Sequence, residues 1–187
     1  DRARPVELPA ADRLFRQLLQ GALCNGYPRR VFERLLAEVA AAGADDDSPR
    51  LQTARAVTQR KRDWNSAHER RVQLAARWAD FFRDYDVLLC PVTPTAAIPH
   101  DHDPDINART IEVNGQVRPY GDQFVWPGLV GMVFLPAAVV PVGHTPQGLP
   151  VGLQIVAPHL EDRTAVDVAR RISAVLGGFR PPPEPSA

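Results

Sequence analysis

Residues 124–158 contain no Asp, Glu, Lys or Arg. A stretch of that length without a charge has little to present to water, so it belongs either in a bilayer or in the interior of a protein. Pro127, Pro136, Pro141, Pro146 and Pro150 cut it into pieces far shorter than the ~20 continuous apolar residues that a spanning helix needs. The stretch therefore predicts strands and a helix buried in an α/β core, with cover on both sheet faces, and no membrane partner is expected.

The rest of the chain supplies elements to build around that core. Strands are expected at residues 137–142 and 151–156, joined by the turn that holds Pro146-Gln147-Gly148, and a third at Val87-Leu88-Leu89-Cys90, bounded by Asp86 and Pro91. Asn114-Gly115 lies between Ile111-Glu112-Val113 and Gln116-Val117-Arg118. This predicts a hairpin, because a type I′ turn needs positive φ at both central residues.

Helical periodicity dominates the first half. Leu14, Phe15, Leu18, Leu19, Ala22 and Leu23 share one face of a helix over residues 10–23. After Pro28, Val31, Leu35, Leu36 and Val39 define a second helix with Gly43 as its stop. Residues 51–82 have neither Pro nor Gly, which predicts one long helix with Trp64 and Trp78 on the same side. A last helix begins at Asp162 as cap, turns Ala165, Val166, Ala169, Ile172, Val175 and Leu176 inward, and ends at Gly177-Gly178.

At 187 residues the chain is long enough for one core. Its expected organisation is a segment of three helices at 1–84, an α/β segment at 85–180 that contributes strands to the core, and a Pro-rich tail at 181–187. Basic and acidic residues balance at 22 each, leaving no excess charge for a phosphate backbone, so no nucleic-acid partner is expected. The cluster Arg60-Lys61-Arg62 reads as a solvated helix face, since Asp63 and Glu69 interleave with it. Cys24 and Cys90 match no metal spacing and form no disulfide framework, as expected of a reduced, cytoplasmic protein.

Three phrases in order carry a resemblance. Tyr85-Asp86-Val87-Leu88-Leu89-Cys90-Pro91-Val92-Thr93-Pro94 is followed by Leu135-Pro136-Ala137-Ala138-Val139-Val140-Pro141-Val142-Gly143, and then by Gly148-Leu149-Pro150-Val151-Gly152-Leu153-Gln154-Ile155-Val156-Ala157-Pro158. In order and spacing they resemble the amidase-signature family from about Trp78 to Val175. Phe134 departs from the pattern, standing where that family usually has Gly before Leu-Pro.

The resemblance implies a mixed β-sheet flanked by helices, the C-terminal part of the amidase-signature fold. It also implies a hydrolase that cleaves amides with a serine nucleophile, a second serine and a neutral lysine base. An alcohol near its free pKa needs such a base, and a lysine serves only where burial depresses its own pKa. The family carries those residues in its earlier half. Here Ser48, Ser66, Ser173 and Ser186 lie in no Gly-rich turn and Lys61 sits among arginines, so no catalytic residue is expected within this chain.

The same resemblance makes Asp122, Gln123 and Trp126 candidate substrate-binding residues beside the acyl or amine pocket. Asp122 can accept a hydrogen bond from an amide or ammonium, or it can cap the following helix. Trp126 can line the pocket or belong to the core. His100-Asp101-His102-Asp103 has metal-ligand residue types but also fits a solvated loop. No cofactor or metal is expected. The expected partners are a small-molecule amide substrate and the missing N-terminal half of the same protein, with a second copy of the chain as a further candidate. The competing functions are a stand-alone, non-catalytic binding module and an amidotransferase-type subunit.

Overall fold

The structure, a computed structural model, describes residues 5–43 and 45–181. All but the first residue of the Pro-rich tail expected at 181–187 lies outside the described residues. Helices α1 (Leu8–Leu23), α2 (Arg29–Ala41), α3 (Pro49–Val57) and α4 (Lys61–Phe81) lead into strand β1 (Leu88–Pro91). A hairpin of β2 (Thr110–Val113) and β3 (Gln116–Pro119), a 3-10 helix (Tyr120–Phe124) and the short α5 (Val125–Gly131) come next. Strands β4 (Ala137–His144) and β5 (Pro150–Val156) precede the last helix, α6 (Asp162–Leu176).

The helix expected over residues 51–82 is two helices, with a break at residues 58–60. The break is built from side chains that compete with the helix for its own carbonyls. Thr58 Oγ1 donates to Ala54 O, and Gln59 Nε2 donates both to Ala56 O and across to Gln17 O of α1. Four α-helices rather than three therefore precede β1.

Helix α1 buries Ala11, Leu14 and Leu18 against Ala67, Leu74 and Trp78 of α4 and Leu129 of α5. Trp78 is fully buried while Trp64 is half-buried, and both pack on this core. A smaller cluster joins Leu35 of α2 to Leu51, Ala54 and Val57 of α3. Leu36, expected inward, is exposed, and Phe32 packs in its stead.

Strands β1, β5 and β4 form one sheet in that order, and both pairings are antiparallel. Cross-strand partners share a face, so Cys90 and Val156 face α5 through Val130, while Ile155 and Val140 face α6 through Ala169. The cover expected on both faces is complete only along the end of β5, where Ile155 and Val156 have no exposure. Leu89, Val139 and Val151 remain exposed. In the β2–β3 hairpin Asn114 (φ +52°) and Gly115 (φ +76°) make the left-handed turn that the sequence predicts, with Val113 opposite Gln116.

Helix α6 ends where expected, at Gly177 with φ +88°, whose N–H bonds to Ser173 O. Its N-cap is Glu161 rather than Asp162. Ala165 and Ala169 are buried, whereas Val166, Val175 and Leu176, expected inward, are exposed. No helix among the described residues is long and apolar enough to cross a membrane.

Candidate functional site

A polar cluster lies where α1 meets the turn that follows β3. Arg16 of α1 is held by an i,i+4 partner on its own helix, Asp12, with Nε 2.8 Å from Oδ2. Its Nη2 donates to Gly121 O at 3.1 Å and to Asp122 Oδ1 at 3.2 Å. Arg118 completes the cluster, with Nε 2.8 Å from Asp122 Oδ2.

Both oxygens of Asp122 are thus engaged by guanidinium groups, and its side chain is only 15% exposed. It makes no side-chain cap to α5, whose N-cap is Phe124. What the cluster leaves open is on its other members. Arg16 Nη1 makes no hydrogen bond among the described residues, and Asp12 Oδ1 is buried without a partner.

The cluster floors a groove of about 500 Å³ between α1, α3 and the 3-10 helix. Phe15, Leu19, Ile106 and Phe124 give it apolar surface, and Arg16, Tyr120 and Asp122, together with Asp47, Gln52 and Arg55, line it with polar groups. This mix suits a ligand with an apolar body and a few hydrogen-bonding groups. A Cβ at Gly121 would lie 2.7 Å from Arg16 Nη1, so a larger residue there would make the end of the Arg16 side chain shift.

Of the other candidates, Gln123 donates from Nε2 to Tyr120 O at 3.3 Å, stiffening the turn. Trp126 is half-buried and packs against both the main core and the cluster of Cys90, Val130 and Val156. Asp122 lines the groove, and Gln123 and Trp126 are not among its lining residues. Arg16, Asp12 and Arg118 were not singled out from sequence. Their i,i+4 spacings, 12 to 16 and 118 to 122, are the signal that finds them.

Residues 100–103 are exposed, and Asp101 and Asp103 accept backbone N–H bonds from Asp103 and Asp105 in successive turns. Among the described residues no group of three or more His, Cys, Asp or Glu could hold a metal ion. Ser66 lies exposed on α4, and Lys61 Nζ sits 4.0 Å above the Trp64 ring.

The family model described as Amidase matches residues 17–166. The chain belongs to the amidase family. That match takes in Arg118, Asp122 and all three phrases of the sheet, and begins one residue after Arg16. Among curated amidase relatives, one of the subunits of the glutamyl-tRNA(Gln) amidotransferase of Leptospira interrogans is 29% identical over 114 residues, covering 61% of this chain and 21% of that protein. A solved amidase superposes with a TM-score of 0.66 at 21% identity, over 91% of this chain and 36% of that one. A 6-aminohexanoate cyclic dimer hydrolase, solved with its substrate, gives 0.62 at 17% identity over 94% and 37%. These superpositions establish the amidase-signature fold. The chain spans about a fifth of the length of its curated relatives and about a third of the solved structures.

Against this amidase background Phe134 stands out. It has φ +58°, a left-handed conformation that suits glycine. Its ring is exposed and carries the Arg71 guanidinium 4.6 Å above it, and His159 Nδ1 lies 3.0 Å from its carbonyl oxygen.

Proposed function

We propose that this chain is the C-terminal portion of an amide-bond hydrolase whose Ser-Ser-Lys machinery lies outside it. In that reaction a serine Oγ attacks the amide carbon, the C–N bond breaks with a proton delivered to the leaving nitrogen, and water releases the acyl group. The observation that carries the reading is the family match across the sheet phrases. The exposed placement of Ser66 and Lys61 supports placing the chemistry elsewhere. Within this chain, the groove beside Asp122 receives the body of a small-molecule amide. Asp122 acts through Arg16, whose free Nη1 donates to the substrate carbonyl, while Gln123 and Trp126 hold the turn and the wall behind it.

The test is hydrolysis of an aryl amide by the full-length protein and its Asp122→Asn variant. We expect KM to rise about fivefold, or ~1 kcal/mol of ground-state binding, with kcat little changed. An unchanged KM would remove the groove from the substrate path. A second reading is an amidotransferase-type subunit, favoured because the curated relatives are themselves subunits of glutamyl-tRNA(Gln) amidotransferases. Release of ammonia from glutamine only in the presence of an acceptor and a partner subunit would select it over free hydrolysis. A non-catalytic module is the remaining alternative, and a full-length protein inert on every amide would favour it.

A further inference from the structure

Along the seam between α1 and α4 lies a second concavity, of about 460 Å³. Arg13, Arg70 and Arg77 line it together with Gln17 and Gln73, and among the described residues Glu7 is the only acid that lines it. Arg70 and Arg77 are seven residues apart on α4, so they project from one face roughly 10 Å apart, and Arg13 approaches from α1. Arg70 is held in place by Gln17, with Nη2 2.7 Å from Oε1.

Among the described residues none of the three guanidinium groups has a carboxylate within ion-pair distance. Three unpaired arginines around one hollow repel one another until an anion joins them. The planar fork of each matches a phosphate or carboxylate. The glutamine amides add neutral donors to the same space.

We infer that this cleft is an oxyanion site that takes a small ligand bearing phosphate or carboxylate groups. The inference rests on the arginine geometry alone and is independent of the amide-hydrolase reading. Titration of the full-length protein with pyrophosphate and with malonate, at constant ionic strength held by sodium chloride, tests it through the thermal midpoint. We expect a saturable rise that chloride does not produce, because a ligand that binds only the folded state stabilises it. Arg70→Ala/Arg77→Ala should weaken the apparent affinity by roughly a hundredfold or more, since two charge-assisted contacts are lost. Arg77→Glu should abolish binding, while Arg163→Ala on α6 leaves it unchanged. Saturation by pyrophosphate alone assigns a phosphate-bearing ligand, and saturation by malonate a carboxylate. A rise that never saturates, or that persists undiminished in both Arg77 variants, would overturn the proposal.

Discussion

Phe134 holds a backbone conformation that costs an L-residue about 1–2 kcal/mol, and its ring recovers part of that through Arg71. Replacing it separates the two effects. Phe134→Ala loses the ring and keeps the strain, whereas Phe134→Gly loses both, so urea unfolding should find the glycine variant more stable than the alanine variant by about 1 kcal/mol. His68 presents a second residue-scale effect. Its ring lies 3.8 Å from that of Trp64, Arg71 Nε is 3.3 Å from its Nδ1, and Nε2 is buried without a partner. Burial, then the charges of Arg71 and Lys61, hold its pKa below the ordinary 6.5. The unfolded chain therefore binds a proton that the folded chain resists. This contribution is fully present above about pH 6.5 and is lost as pH falls from there toward the folded value. Melting followed between about pH 7.5 and 5.5 should show a declining midpoint, and His68→Gln should flatten the decline. Sequence could nominate Asp122 through its neighbourhood, but not the two arginines that occupy its oxygens. One of them comes from a helix more than a hundred positions away, and only the packing of α1 brings it there.

At the scale of elements, what was legible was whatever local chemistry decides. Asn114-Gly115 permits the turn it makes, and Gly177 ends α6 in the conformation glycine tolerates best. The break between α3 and α4 was not legible, because no Gly or Pro marks it. It depends on Gln59 reaching Gln17 O, a bond that exists only once α1 is docked. The inward face expected for α6 was too wide for a related reason. Periodicity identifies apolar positions, but the sheet beneath is narrow and covers only the stripe around Ala165 and Ala169. The approach of α5 to α1 is set by Gly128, where a Cβ would stand 2.5 Å from two carbons of the Phe15 ring. Gly128→Ala should therefore destabilise by about 1–3 kcal/mol, even though alanine favours a helix by roughly 1 kcal/mol. A denaturant midpoint at or above that of the parent would show that Phe15 gives way freely.

At the scale of the whole molecule, the charge-free stretch leads correctly to a sheet with helices on it, yet the cover is unequal. Among the described residues β1 and β4 each have a strand neighbour on one side only, and Leu89 and Val139 are about half exposed. Open edges with apolar side chains invite pairing with another strand. Expressed by itself, this chain should therefore self-associate, and its sedimentation coefficient should climb with concentration. A monomer that melts cooperatively across the whole range would show that the described elements suffice as a unit. The sheet order has a further consequence, for the timing of synthesis. The middle strand, β5, is the last to be made, and Leu88 of β1 finds its partner only in Val156. At roughly 5–20 residues per second, β1 waits on the order of several seconds after leaving the ribosome. Meanwhile β4 and β5 can zip through the short turn between them. The sheet thus assembles backwards along the chain, and β1 needs to be held apart from other strands for as long as translation takes to reach Val156.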